Sequence, residues 1–333
     1  MKTTIFFKLL LLTLMLAIVF MIVSCSNNDS SGDPASISFV LDWTPNTNHT
    51  GVYVAIANGY YAEAGLDVKI LNPPEAGAPA FVANGTAQFG VDFQESLGIG
   101  LALDDPLPVT AVAAIISHNN SGIISLKNKG IDDFSKLEGK TYASWMVPAE
   151  LPILKQTMTD AGGDFDKLTV VDAPTQDVLS MIATGLVDAV WVYESVDVIA
   201  AGVLGVEYNF IRFADTSPVL DFYTPIIIAN DDFLKNHPET AAKFIQATAA
   251  GYEFAINNPK EAADILLDAV PELTPELIYA SQEYLAGTYA SAGERWGVFD
   301  EERWGAFYDW MYEQGIIQVP LGSMGFTNEF VMP

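Results

Sequence analysis

The run Val82-Ala83-Asn84-Gly85-Thr86-Ala87-Gln88, which leads to Phe93-Gln94, returns 100 residues later as Ile182-Ala183-Thr184-Gly185-Leu186-Val187-Asp188, which leads to Tyr193-Glu194. Each copy reads helix, glycine stop, strand. A unit of that kind occurring twice implies two similar α/β halves, with Phe93 the counterpart of Tyr193 and Gln94 the counterpart of Glu194. Outward from this echo, short β-branched runs at 37–41, 68–71, 89–93, 109–116, 141–145, 170–172 and 189–193 alternate with helix-like segments. Two of those segments, 51–64 and 148–161, place apolar residues three and four apart, and the second closes on Gly162-Gly163. Such alternation predicts largely parallel sheets with helices on both faces.

The last hundred residues are helical in pattern. Three segments open on a proline, at Pro238, Pro259 and Pro275; proline suits the first helical turn, where its missing N–H has no partner to lose. A fourth helix is expected after Asp300, stopping at Gly315, with Trp304, Phe307, Tyr308 and Met311 on one face. Two β-rich passages, 112–126 and 222–229, contain no long helix and read as crossings between halves. The expected division is therefore a first lobe from 36–117 and 226–333, and a second lobe from 118–225, with the chain passing twice between them.

Lys2 and Lys8 flank an apolar run over 9–23 that is broken only by Thr13, and the run meets Ile22-Val23-Ser24-Cys25. This layout reads as a signal peptide over 1–24. The small and aliphatic residues before the lone cysteine resemble a bacterial lipobox, so Cys25 is the expected site of lipidation. A single membrane-spanning anchor is the competing reading. Either way the remainder is expected outside the cytoplasm. Residues 25–35 are small and polar, the composition of a flexible tether. Roughly 300 residues remain, enough for two lobes, and a hydrophobic fraction of 50% excludes disorder. One cysteine allows no intrachain disulfide.

The formal net charge is −27, from 15 basic and 42 acidic residues. A surface of that sign disfavours nucleic-acid binding, which is built on Lys and Arg contacts to phosphate. It serves solubility, or a local concentration of cations.

In open parallel sheets, ligands lie beyond the carboxyl ends of the strands. The expected ends carry Asp42-Trp43, Asn46 and His49; Asp92-Phe93-Gln94-Glu95; His118 to Gly122; Trp145 and Glu150; Thr175-Gln176; and Tyr193-Glu194. Aromatic faces beside neutral amides and a carboxylate suit a flat, hydrogen-bonding ring. The three arginines, Arg212, Arg295 and Arg303, fall at none of the expected strand ends, so an anionic ligand lacks its bidentate partner. A neutral or weakly basic ring is expected. Plainer roles stand beside each assignment: Trp43 as packing, Asn46 or Thr47 as a helix cap, His49 as a core or capping histidine, Glu194 as a favourable charge at a helix start. Three histidines without metal-ligand spacing, and no phosphate loop or nucleophile elbow, offer no catalytic constellation.

The run from Trp43 to Gly51, followed by Val52-Tyr53-Val54-Ala55 and by Gly59-Tyr60-Tyr61-Ala62-Glu63-Ala64-Gly65-Leu66, resembles the thiamine-biosynthesis-like substrate-binding proteins over most of 36–315. The resemblance implies a two-lobe periplasmic-binding-protein fold (type II) and no cofactor. Its partners would be a membrane permease and ATPase of an ABC importer, and the membrane itself through the lipid on Cys25. The protein is expected as a monomer. Within the family the run is similar to importer lipoproteins that bind formylaminopyrimidine; riboflavin-binding importer subunits share fold and cleft. A fungal-type enzyme of the same superfamily makes the thiamine pyrimidine with pyridoxal phosphate and a cysteine-rich iron-binding motif, which this chain lacks. Carried over by position, the resemblance implies cleft roles for Trp43, Asn46, His49, Trp145, Tyr193 and Glu194. Gln94, Glu95, Ser121, Glu150, Asp221 and Tyr223 are further candidates from position alone.

Overall fold

The computed structural model describes residues 34–173 and 177–332. The expected signal peptide over 1–24, Cys25 and the expected strand-end positions Thr175 and Gln176 lie outside the described residues. From Ala35 the chain runs β1 (Ala35–Val40), a 3-10 turn (Thr47–His49), α1 (Thr50–Ala57), α2 (Tyr60–Glu63), β2 (Leu66–Leu71), α3 (Ala78–Ala83), β3 (Phe89–Asp92), α4 (Gln94–Leu101) and β4 (Val109–Ala114). It continues through β5 (Ser121–Leu126), β6 (Thr141–Ser144), α5 (Glu150–Asp160), β7 (Thr169–Asp172), α6 (Val178–Ala183), β8 (Ala189–Tyr193), a π turn (Glu194–Val198), α7 (Ile199–Val203) and β9 (Tyr208–Arg212). The last part is β10 (Ile226–Asn230), α8 (Asp231–Asn236), α9 (Pro238–Asn257), α10 (Pro259–Ala269), α11 (Pro275–Ala286) and α12 (Glu301–Glu313).

Two five-stranded sheets result, in the orders β2-β1-β3-β10-β4 and β7-β6-β8-β5-β9. The orders correspond strand for strand, and β3 occupies in one the place of β8 in the other, so the sequence echo marks equivalent positions. The sheets are mixed where the pattern predicted largely parallel ones. β10 runs antiparallel to β3 and β4, and β5 runs antiparallel to β8 and β9. The reversal has a simple origin. β5 and β10 are the first strands after the chain leaves one sheet for the other, and each enters from the cleft side, against its neighbours. The crossings are 115–120 and 213–225, shorter than the β-rich passages that contain them.

All three proline-led helices begin where expected, and α12 is capped by Asp300, whose side chain accepts from the Arg303 N–H. The single helix expected over 51–64 is broken, because Gly59 takes a left-handed φ of 78° and starts a separate turn at Tyr60. α9 lies close against α1: a Cβ on Gly51 would strike the Tyr252 ring, and one on Gly251 would strike the Gly51 backbone. This approach anchors the segment before α1, where the Tyr252 hydroxyl donates to Asn48 O at 2.7 Å. Val40 of β1, Leu97 of α4, Ile123 of β5 and Phe213 of the second crossing share one buried cluster with α12. On the second crossing Phe222 stacks on Phe307 of α12 at 4.1 Å.

Candidate functional site

The carboxyl ends of β1 and β3 in one sheet and of β6 and β8 in the other supply ring faces that meet. Phe93, just beyond β3, and Tyr193, the last residue of β8, stack with centroids 6.2 Å apart and planes at 19°. Trp43, after β1, meets Trp145, after β6, edge to face at 6.4 Å and 84°. Trp43 is 45% exposed and stands at the mouth. Trp145 is fixed by its indole N–H, which donates to Trp191 O at 2.9 Å. Sequence reasoning paired Phe93 with Tyr193 through the echo but did not place Phe93 in the site.

Beside Trp43, the 3-10 turn is closed by a reciprocal cap. Asn46 Oδ1 accepts from the Asn48 N–H at 2.8 Å, and His49 Nδ1 accepts from the Asn46 N–H at 3.2 Å. That leaves His49 Nε2 to carry the proton toward Asp42 Oδ1, 2.7 Å away. His49 is fully buried and Asn46 is engaged in capping, so both shape the loop that presents Trp43 and Asp42.

Glu194 opens the π turn after Tyr193, and Arg212 pairs with it across the sheet. Arg212 is the last residue of β9, a strand the sequence reading missed, so an arginine does stand at a strand end. Its charge is met by Glu194. The Tyr284 hydroxyl of α11, from the other lobe, donates to the same Glu194 oxygen, Oε2, at 3.0 Å. Burial pushes the Tyr284 hydroxyl well above its ordinary pKa, and the Glu194 charge adds to the effect. Nearby, Ser281 of α11 donates to Ser195 O and lies 2.6 Å from Thr47 Oγ1. A line of polar contacts thus joins the two lobes on this side, and the Tyr193 hydroxyl lies 3.3 Å from Thr224 Oγ1 of the second crossing.

Two carboxyls sit at the end of β3 and the start of α4. Asp92 is buried with Oδ2 unpartnered, and Glu95 Oε2 is likewise sealed from solvent without a partner. Burial pushes Asp92 up to about 7 and Glu95 up to about 8. For Asp92, hydrogen bonds from the Phe93 N–H and Ser96 oppose the rise, and Asp42 reinforces it; for Glu95 the neighbouring Asp92 reinforces it. Tyr193 feels the Glu95 charge after burial, and its hydroxyl is held far above the ordinary range.

Five of the six candidates named from position alone are occupied in holding the frame. Gln94 is fully buried: its Nε2 donates to Trp304 O at 3.0 Å and its Oε1 accepts from the Tyr223 N–H at 2.8 Å. Tyr223 in turn accepts from the Asp300 N–H at 2.7 Å and carries the Arg303 guanidinium over its ring at 4.0 Å. The Ser121 hydroxyl donates to Asn119 Oδ1 at 2.7 Å. Glu150 accepts from Tyr142, Ser144 and the Trp145 N–H, which locks the Trp145 loop. Asp221 accepts from the Asn119 N–H at 2.9 Å and pairs with Arg303 at 3.1 Å, joining the two crossings. Sequence reasoning named Asp92 at a strand end without choosing it as a candidate, and it missed Arg212 and Tyr284. Arg212 closes the run 208–212, whose apolar and polar alternation breaks at Ile211, and nothing local marks Tyr284.

Two α/β sheets joined by two crossings, with ring faces meeting between them, define a fold of the periplasmic-binding-protein class. The alkanesulfonate-binding protein SsuA of Xanthomonas axonopodis pv. citri superimposes with a TM-score of 0.68, covering 89% of this chain and 99% of that one at 11% identity. The chain belongs to the family described as NMT1/THI5 like, which matches residues 46–262. It is 30% identical over 319 residues to the formylaminopyrimidine-binding protein of Halalkalibacterium halodurans, covering 93% of this chain and 95% of that protein. It is also 25% identical over 279 residues to a 4-amino-5-hydroxymethyl-2-methylpyrimidine phosphate synthase of Saccharomyces cerevisiae, covering 77% of each.

Proposed function

We propose that the protein is the extracytoplasmic solute-binding subunit of an ABC importer and that it closes its two lobes, 36–117 with 226–333 and 118–225, on a thiamine-related pyrimidine, formylaminopyrimidine or hydroxymethylpyrimidine. The observation that carries the reading is the meeting of Phe93 with Tyr193 and of Trp43 with Trp145, each pair drawn from opposite lobes. A ring held between two others needs about 7 Å, two van der Waals spacings. The Phe93 and Tyr193 rings at 6.2 Å therefore part by about 1 Å to admit a guest. The Arg212–Glu194 pair neutralises the one arginine at the cleft, which favours an uncharged or weakly basic ring over an anion. The bonds that Glu194 accepts from Arg212 and Tyr284 fall on Oε2, and Oε1 is the oxygen assigned to an amino group of the guest.

The protein is anchored by lipid on Cys25 after removal of 1–24, works as a monomer, and docks in the closed form on a permease driven by an ATPase. It turns nothing over. Its only cysteine is the anchor, so the cysteine-rich iron-binding motif of the synthase branch has no counterpart here. The 30% identity to a formylaminopyrimidine-binding protein over nearly its whole length supports the choice of ligand. Calorimetry with formylaminopyrimidine, hydroxymethylpyrimidine, thiamine and riboflavin tests it: heat from a pyrimidine is expected, and silence from all thiamine-related pyrimidines overturns the assignment.

A further inference from the structure

Asn120 lies in the first crossing, one residue before β5. Because β5 is antiparallel to its neighbours, its start is level with the carboxyl ends of β8 and β9. Ser121 is in register with Tyr193, Gly122 with Arg212, and the Glu194 N–H donates to Asn120 O at 2.9 Å. Asn120 therefore sits between Tyr193–Glu194 on one side and Arg212–Phe213 on the other, at the cleft edge of the second sheet. Its side chain is 3% exposed, and neither Oδ1 nor Nδ2 has a partner. A buried primary amide with both functions idle is a costly arrangement that folding alone does not justify. Its neighbour Asn119 shows the contrast, since its Nδ2 donates to Leu220 O and its Oδ1 accepts from the Ser121 N–H and hydroxyl.

We propose that Asn120 reads the edge of the ligand, its amide donating to a ring nitrogen and accepting from the adjacent exocyclic amino group. The inference rests on the pyrimidine reading above and sharpens it: the guest must carry a hydrogen-bond donor and an acceptor side by side. A carboxamide matches that edge in two parallel bonds, as asparagine matches the amino and ring-nitrogen edge of adenine. The ring lies against Tyr193, Glu194 Oε1 receives a further N–H, and Asn120 fixes the in-plane orientation. An aspartate of the same shape keeps two acceptors and loses the donor, so it mismatches the ring nitrogen.

The test titrates formylaminopyrimidine, its counterpart lacking the exocyclic amine, and riboflavin into the full-length wild-type chain and its Asn120→Asp and Asn120→Leu variants. Formylaminopyrimidine is expected to bind the variants roughly ten- to a hundredfold more weakly than wild type, and the des-amino ring is expected to lose less. Equal affinity in all three proteins overturns the role of Asn120 while the pyrimidine function stands. If only riboflavin binds the wild type, the pyrimidine reading falls, and the same variants decide Asn120 on the imide edge of that ring. If nothing binds, both fall. Should a variant not fold, the wild-type protein suffices: the side-chain amide resonances of Asn120 are expected to move on ligand addition, and unmoved resonances overturn the proposal.

Discussion

Replacing Asp92 with Asn should remove a pH dependence from the stability of the protein. Asp92 is 3% exposed, and burial carries its carboxyl from the ordinary 3.8 up to about 7. Between those values the folded chain holds a proton that the unfolded chain has released. The slope of unfolding free energy with pH is then negative, so this group's effect is absent below pH 4, grows as a loss of stability up to pH 7, and is constant above. At about 1.4 kcal/mol per pH unit, the interval amounts to an upper figure on the order of 4 kcal/mol. Asparagine is neutral throughout. Urea unfolding of wild type and Asp92→Asn from pH 4.5 to 7.5 should show the variant gaining on wild type by about 2–4 kcal/mol as pH rises. Parallel profiles would refute the reasoning and show that Asp92 is ionised and solvated in the folded chain.

Tyr284→Phe removes the hydroxyl that the first lobe places on Glu194; the loss of about 1 kcal/mol should speed ligand release roughly fivefold in stopped-flow measurements. Glu194→Gln should weaken pyrimidine binding by about 1–3 kcal/mol in calorimetry, and unchanged affinity would remove Glu194 from the site. Gly51→Ala drives a methyl group into the Tyr252 ring and should lower the urea midpoint by an amount equivalent to about 1–3 kcal/mol.

The fold was legible wherever one rule acted alone. The glycine stops at Gly85 and Gly185 mark equivalent turns, and both take left-handed φ values, 77° and 74°. The three proline-led helices follow from one missing N–H each. Strand direction was not legible, because a β-rich run looks alike in either orientation, and only the passage between sheets decides that β5 and β10 run against their neighbours. β9 escaped because all five of its residues are half-buried, which blurs the alternation that marks a strand.

The site was legible as a neighbourhood rather than as a list. Aromatic residues at strand ends stand out in the sequence, and Trp43, Trp145 and Tyr193 each meet a ring from the opposite lobe. Polar residues at strand ends were ambiguous, because the same position lets a side chain either face a guest or close a buried hydrogen-bond network. Gln94, Ser121, Glu150, Asp221 and Tyr223 do the second. Asn120 differs from Asn119 only in finding no partner, a distinction that exists only in three dimensions.

In the proposed function a flat guest is seated between rings contributed by opposite lobes. Calorimetric titration of formylaminopyrimidine into wild type, Phe93→Ala and Tyr193→Ala measures this directly. Each truncation is expected to weaken binding at least about tenfold, the loss of one stacked face. Wild-type affinity in both variants would contradict it.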